Sequence, residues 1–212
     1  MRRPVRAHVP FLLWWIEDPI LIAARILAMK SAQPTLSTPR LDLRPFRMDD
    51  AGSLQALAGD KEIADASDRI PHPYRDGMAE AWIATHAEDF AARRVVTFAL
   101  ALRSSDELVG CCGLTIDGSV NRAEIGYWVG QSYWGSGFAS EAASAVLRFG
   151  FEELELNRIY GRHFARNPSS GRVMARIGMQ REGVARQDAK MWGRYEDVVS
   201  YGVLREDWLP SR

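Results

Sequence analysis

One stretch constrains the fold more than any other. From Glu124 to Ala139 the chain reads EIGYWVGQSYWGSGFA. A strand-like apolar run ends at Val129, a short loop follows, and Gly135, Gly137 and Ala139 lead into the longest helical pattern of the chain. Small residues at such a turn let a ligand come close to the backbone. The unpaired N–H groups of a helix's first turn, with the positive end of its dipole, form an anion site, and a diphosphate is its natural guest. The spacing is not the dinucleotide-binding fingerprint: its third position is Ala139, and no parallel strand–helix–strand unit opens the chain. Taken alone, Gly-x-Gly before a helix is also plain turn chemistry.

The flanking sequence supplies the rest of a mixed α/β sandwich. Arg40–Phe46 alternates Leu41, Leu43 and Pro45 against Arg40, Asp42 and Arg44, which predicts a half-buried edge strand. Residues 48–58 and 61–67 predict short helices, and Gly77–Arg93 a longer one anchored by Trp82, Ile83 and Phe90. Strands follow at Val95–Leu102, Leu108–Ile116 and Ala123–Val129. The long helix spans about Ser136–Leu154, with Phe138, Ala142, Ala143, Val146, Leu147, Phe151 and Leu154 on one face and Glu141, Arg148 and Glu152 on the other. Arg158–Ala165 reads as a strand. Asn167-Pro168 opens a short helix closed by Gly178, and strands at Met179–Ala185 and Asp197–Leu204 end the order.

Composition sets the outer bounds. Apolar residues make up 47% of the 212, enough to bury a sizeable core. Lys plus Arg number 27 and Asp plus Glu 27, so charge gives no argument for binding nucleic acid. Cys111 and Cys112 are adjacent in an apolar run, which excludes a disulfide framework and a thiolate zinc site and reads as two small buried residues of a reduced, cytoplasmic protein. Near the start, Arg2, Arg3 and Arg6 precede an apolar run from Phe11 to Ile16, but Glu17, Asp18 and Pro19 break it. That break excludes a membrane span, and no cleavage pattern marks a signal peptide. Asp18 as N-cap with Pro19 behind it predicts a short helix to about Lys30, and Ser31–Pro39 reads as a linker. Residues 1–37 are thus expected to be an extension and linker, with residues 38–212 forming the domain; truncation at Met29 tests whether the domain needs the extension.

A second constellation lies downstream, in Asn167-Pro-Ser-Ser-Gly-Arg-Val-Met-Ala-Arg-Ile-Gly-Met179. Ser170, Val173 and Ile177 share a helix face, which puts a hydroxyl on the inward side with apolar neighbours. Singly, Asn167 reads as an N-cap and Ser170 as a capping or filler residue. Their occurrence together, after the glycine loop, shifts the balance towards function.

These motifs resemble the GNAT superfamily of N-acetyltransferases, and in particular its ribosomal-protein (RimJ/RimL-type) branch. The resemblance runs from about Thr38 to Trp208 and takes in PRLDLRP at 39–45, EIGYWV at 124–129, YWGSGFASEA at 133–142, the segment 167–179 and DVVSYGVLREDW at 197–208. It implies a central, mostly antiparallel sheet, splayed at the cofactor site, with helices on both faces. It also implies acetyl-CoA as co-substrate, with pyrophosphate held by the loop and first helical turn at Trp134, Gly135, Ser136, Gly137, Phe138, Ala139 and Ser140. Trp134 stands where the superfamily loop has Arg or Gln, so its side chain is not the usual phosphate contact. The pantetheine arm is expected beside the backbone of Trp128 and Val129, with Asn167 as a further cofactor contact.

The resemblance further implies direct attack of a primary amine on the thioester, with no metal and no covalent enzyme intermediate. Ser170 matches the acid that serves the departing thiolate. The base is left open. Glu124, on the strand leading to the acyl site, and His163, whose intrinsic pKa is about 6.5, are the candidates; the plainer readings are a solvated strand residue and a packed histidine. The acceptor is expected to be a protein N-terminal amine, the alternatives being a small amine such as an aminoglycoside or polyamine, or a non-catalytic acyl-CoA sensor. Acceptor identity is assigned to residues 60–80 and the loop Gln187–Glu196, with Trp192 and Tyr195. No nucleic-acid or membrane partner is expected, and the protein is read as a monomer or homodimer.

Overall fold

The computed structural model describes residues 32–67 and 69–208; the helix expected over Pro19–Lys30 lies outside them. By its internal contacts the chain divides into residues 1–32 and 33–212, and the second unit carries the sheet. Its strands are β1 (Leu36–Ser37), β2 (Leu41–Arg44), β3 (Val95–Leu102), β4 (Leu108–Asp117), β5 (Arg122–Val129), β6 (Arg158–Phe164), β7 (Gln180–Met191) and β8 (Arg194–Leu204). Its helices are α1 (Ala51–Ala58), α2 (Lys61–Asp65), α3 (Met78–Ala91), α4 (Phe138–Glu152) and α5 (Pro168–Arg176). The strands form one sheet in the order β1-β2-β3-β4-β5-β6-β8-β7. Every neighbouring pair is antiparallel except β5 with β6.

Alternation along the central strands assigns the two faces. Val96, Phe98 and Leu100 of β3, Cys112 and Leu114 of β4, and Ala123 and Ile125 of β5 are buried in one cluster with Ala142, Ala143, Val146 and Leu147 of α4 and Met174 of α5. On the opposite face Ala99 joins Leu54 and Ala58 of α1 and Ala79 and Ile83 of α3. Helices therefore cover both faces, as expected of this architecture.

Three expectations are corrected. Arg40–Phe46 is not the sheet edge: β1, inside the expected linker, pairs with β2 through Leu36↔Leu43 and Ser37↔Asp42. Arg44, on the outward face by alternation, is 5% exposed because Asp50 receives it in a two-point ion pair at 2.8 and 2.9 Å. The expected loop Gln187–Glu196 is mostly strand. β7 and β8 continue to a two-residue turn at Trp192-Gly193, where φ is 47° and 82°. Positive φ at both central residues matches the right-handed twist of a hairpin, and only Gly193 advertises it. β7 absorbs a register shift near Gln187, itself at φ 53°.

Candidate active site

The parallel pair β5–β6 holds at only three positions, Arg122↔Arg158, Ala123↔Ile159 and Glu124↔Tyr160. Beyond Glu124 the strands part: β5 stays with β4 to Val129, while β6 stays with β8 to Phe164. This opens a wedge in the middle of an eight-stranded sheet. A continuous cavity of about 1140 Å³ runs through it, lined on one side by Gly135, Gly137, Ala139, Ser140, Asn167 and Ser170, and on the other by Arg69, Glu124, Trp128 and Arg162.

On the α4–α5 face the wedge meets the start of α4. Gly137 is the N-cap at φ 81°, and no side chain caps the helix, so the first-turn amides of Phe138, Ala139 and Ser140 have no intrahelical or N-cap side-chain acceptor. Gly135 also has a positive φ, 77°, so the loop holds two left-handed positions that favour glycine. The loop is tied down from the turn between β1 and β2. Glu141 accepts hydrogen bonds from the Thr38 hydroxyl (2.6 Å), the Arg40 amide (2.9 Å) and Arg40 Nε (2.7 Å). Arg40 also donates to the carbonyl of Ser136 at 2.9 Å and lies 4.6 Å over the Phe138 ring. Burial works against the Glu141 carboxylate, but the Thr38 and Arg40 bonds hold its pKa below the usual range. The helical pattern alone puts Glu141 on an outer face; in the structure it is the anchor of the loop. Trp134 donates its indole N–H to the carbonyl of Val129 at 2.7 Å, so that carbonyl is engaged within the chain.

Ser170 stands in the first turn of α5, whose N-cap Asn167 accepts from the Ser170 amide at 3.4 Å. Its Oγ lies 3.0 Å from the hydroxyl of Tyr127, which also donates to the Ser170 carbonyl at 2.8 Å. Tyr127 is a further candidate at this site. In sequence an aromatic residue three after Glu124 on a strand reads as core, and nothing marks its hydroxyl as aimed at α5. Burial raises the pKa of Tyr127, with the Ser170 bond pulling the other way. His163 lies on this same face. Its Nδ1 contacts the Phe164 carbonyl at 2.8 Å, its Nε2 is buried with no hydrogen-bond partner, and its ring packs against Tyr201 and closely against Gly171.

Glu124 is on the other face, with Gly126 and Trp128. Arg162 Nε donates to its Oε1 at 3.1 Å and Arg69 to its Oε2, while Arg69 also reaches Thr115 at 3.1 Å. The structure therefore gathers Ser170, His163 and the glycine loop on one face of the sheet and places Glu124 on the opposite face, at the point of the wedge. Sequence reasoning misses Arg69, because it reaches Glu124 from a loop 55 residues away. Residues 60–80 and the β7–β8 hairpin do meet: Asp65 pairs with Arg166 (2.7 Å) and Arg194 (3.0 Å), and His72 lies 5.9 Å from the Trp192 ring.

Cys111 is nearer the site than its sequence position suggests. It pairs in register with Trp128 and lines the cavity. It is 7% exposed, and burial pushes its thiol up to about 12, so it is no thiolate nucleophile at neutral pH. Among the described residues no three His, Cys, Asp or Glu come together as a metal site, and no helix is long and apolar enough to cross a membrane.

Fold and site together define a split sheet with the uncapped, glycine-rich start of a helix on one face and a chamber holding Glu124 on the other. Comparison with known proteins makes the class specific. Residues 40–180 match the family model described as an acetyltransferase (GNAT) domain. An uncharacterized N-acetyltransferase, p20, of Bacillus licheniformis is 32% identical over 176 residues, covering 82% of this chain and 98% of that protein. The [ribosomal protein uS5]-alanine N-acetyltransferase of Escherichia coli is 30% identical over 108 residues, 50% of this chain and 56% of that protein. A crystal structure of a GNAT-family acetyltransferase from Bacillus anthracis superposes with a TM-score of 0.72 at 26% identity, covering 82% of this chain and 99% of that one. The chain belongs to the GNAT acetyltransferase family. It is an N-acetyltransferase of that type, with the family's split, mostly antiparallel sheet.

Proposed function

We propose that the protein transfers acetyl from acetyl-CoA to a primary amine, in particular a protein N-terminal amine, by direct attack across the wedge between β5 and β6. The observation that carries this reading is the wedge itself. It joins the uncapped start of α4 to the chamber holding Glu124 in one cavity, so a carrier and an acceptor can meet through the sheet rather than compete for one face. The residues present fit the cofactor: Gly135 and Gly137 supply a bare loop, Phe138, Ala139 and Ser140 supply amides, and Asn167 borders the same cavity. Bound acetyl-CoA supplies the thioester and a thiolate leaving group.

The chain's own groups then divide the work. Ser170, steadied by Tyr127, is the hydroxyl on the thiolate side. Of the two base candidates, Glu124 is the one on the acceptor face. Each of its oxygens accepts one arginine hydrogen bond, which leaves lone pairs to take the amine's proton directly or through a water. His163 faces the other side and is packed under α5. The Escherichia coli relative, which acts on an alanine of ribosomal protein uS5, supports a protein N-terminus as acceptor.

Release of CoA thiol from acetyl-CoA, measured with a panel of amines and N-terminal peptides, is the test. Turnover with an N-terminal peptide above the hydrolysis background is expected. Binding of acetyl-CoA without turnover across the panel would establish the sensor reading instead.

A further inference from the structure

The sheet face under α1–α3 carries three in-register rows at the wedge. Val95–Thr115–Glu124 forms one wall and Ala99–Cys111–Trp128 the other, and between them runs Thr97–Gly113–Gly126. The middle row is a trough of small residues across three central strands. Gly113 is small for a structural reason, since a Cβ there would come within 2.4 Å of the Val96 carbonyl oxygen. Gly126 has no such reason. Its φ is not left-handed, and a Cβ added to it would meet nothing within 4 Å. A glycine exposed in the middle of an eight-stranded sheet, with empty space above it, is a floor kept clear for something else.

What surrounds that space is mostly apolar. Ile63, Ile70, Tyr74, Met78 and Trp82 face it from α2, α3 and the loop between them, and Trp128 closes one side. Met78 and Trp82 are each 36% exposed and line the cavity, and Ile70, Tyr74 and Trp128 line it while also packing against the core under α1 and α3. Two of the four carboxylates are ion-paired, Glu124 with Arg69 and Arg162, and Asp65 with Arg166 and Arg194, while Glu62 and Asp188 line the cavity outside these pairs. Arginines lining the whole cavity number five against four carboxylates. The lining therefore carries no net negative charge to favour a polycation.

Resting on the proposed function, we infer that this chamber receives a bulky apolar side chain carried next to the acceptor amine, so that the preferred acceptor is the α-amine of a residue such as leucine or phenylalanine. The amine then stands at the wedge by Glu124 with the side chain over Gly126, and the following peptide leaves past Asp65 and the β7–β8 hairpin. Removing apolar surface of this size from water favours such acceptors by at least about tenfold.

The test compares kcat/KM for phenylalaninamide and leucinamide with that for glycinamide and spermidine, using the full chain and saturating acetyl-CoA. The first two are expected to exceed glycinamide at least about tenfold, chiefly through KM. Gly126→Val fills the trough and is expected to cut the phenylalaninamide-to-glycinamide ratio at least about tenfold; Ile70→Ser, on a loop, is expected to lower it in the same direction and serves if the first variant does not fold. Equal or better use of glycinamide or spermidine, or an unchanged ratio in the folded variants, overturns the inference. Failure of the proposed function looks different, since no amine is then turned over. In that case calorimetric titration with phenylalaninamide decides: binding lost in Gly126→Val supports the chamber, and no binding to the unmodified protein overturns it.

Discussion

The hydroxyl of Tyr127 lies 2.8 Å from the carbonyl oxygen of Ser170 and 3.0 Å from its Oγ, joining β5 to the first turn of α5 at the mouth of the wedge. A carbonyl only accepts, so Tyr127 donates there, and the Ser170 hydroxyl hydrogen is directed at Tyr127 in return. For Ser170 to serve a departing thiolate, that hydrogen must swing to the sulfur while Tyr127 keeps its grip on the carbonyl. Burial, which raises the Tyr127 pKa, keeps the phenol neutral and suits it to positioning rather than to giving up its proton.

Ser170→Ala is therefore expected to lower kcat by about 100-fold, the low end for general acids because water partly replaces the hydroxyl, with acetyl-CoA affinity nearly intact. Tyr127→Phe should lower kcat by about tenfold, and the double variant should be no worse than Ser170→Ala alone, since one residue acts through the other. Steady-state kinetics of the three variants checks this. Wild-type kcat in Ser170→Ala removes the assigned acid, and fully additive losses remove the coupling.

The glycine loop allows a cleaner test than a bulky replacement. Gly137 sits at φ 81°, where Gly137→Glu would strain the backbone as well as oppose a phosphate. Asn and Asp both tolerate that conformation, and only Asp adds charge. Gly137→Asp is expected to lose most of the thermal shift given by acetyl-CoA, and Gly137→Asn to keep most of it. Equal shifts in the two variants would place the pyrophosphate elsewhere.

Much of the fold is legible in the chain because its signals are local. Val95–Leu102 shows as a strand and residues 138–152 as a helix because alternation and a 3.6-residue stripe are written in neighbouring side chains. The glycine loop is legible for the same reason. What escapes depends on partners distant in sequence. Nothing near Glu124 announces Arg69, nothing near Glu141 announces Thr38 and Arg40, and Tyr127 looks like core until α5 is seen beside it. The Trp192-Gly193 turn escapes because a tryptophan at positive φ is held by the hairpin's twist, against its own preference.

His86 gives a pH dependence with a definite sign. Its ring packs edge-on against Trp82, with centroids 4.3 Å apart, and both ring nitrogens are buried with no hydrogen-bond partner. Burial pushes its pKa down to about 4, with nearby Asp89 opposing weakly. The unfolded chain takes up this proton near about pH 6.5, so between about 6.5 and 4 the unfolded state binds more protons and stability falls as pH falls. His86→Phe keeps the ring and removes the titration. Melting temperatures from pH 7 to 4.5 should show the variant gaining steadily on the wild type below pH 6.5; parallel curves would mean that His86 does not carry the effect.

The buried pair Arg44–Asp50 yields the largest stability prediction. Arg44 is 5% exposed and Asp50 8%, the guanidinium meets both carboxylate oxygens, and Asp50 also accepts from the Arg47 amide at 2.7 Å. Burial raises the Asp50 pKa, but the Arg44 and Arg47 hydrogen bonds outweigh it and leave the carboxyl below its usual value. The pair fixes the end of β2 to the start of α1, whose Leu54 and Ala58 line the cavity. Asp50→Ala strands a buried guanidinium, for which the cost is about 3 kcal/mol, only partly relieved by the second contact of Arg44 with Asp106 at 3.0 Å. Replacing both partners with apolar residues, Arg44→Met with Asp50→Leu, leaves no orphaned charge and should recover most of that loss. Urea unfolding of the two singles and the double measures the coupling directly. A cost below about 1 kcal/mol for Asp50→Ala would show the ion pair to be a surface-like contact, despite its burial.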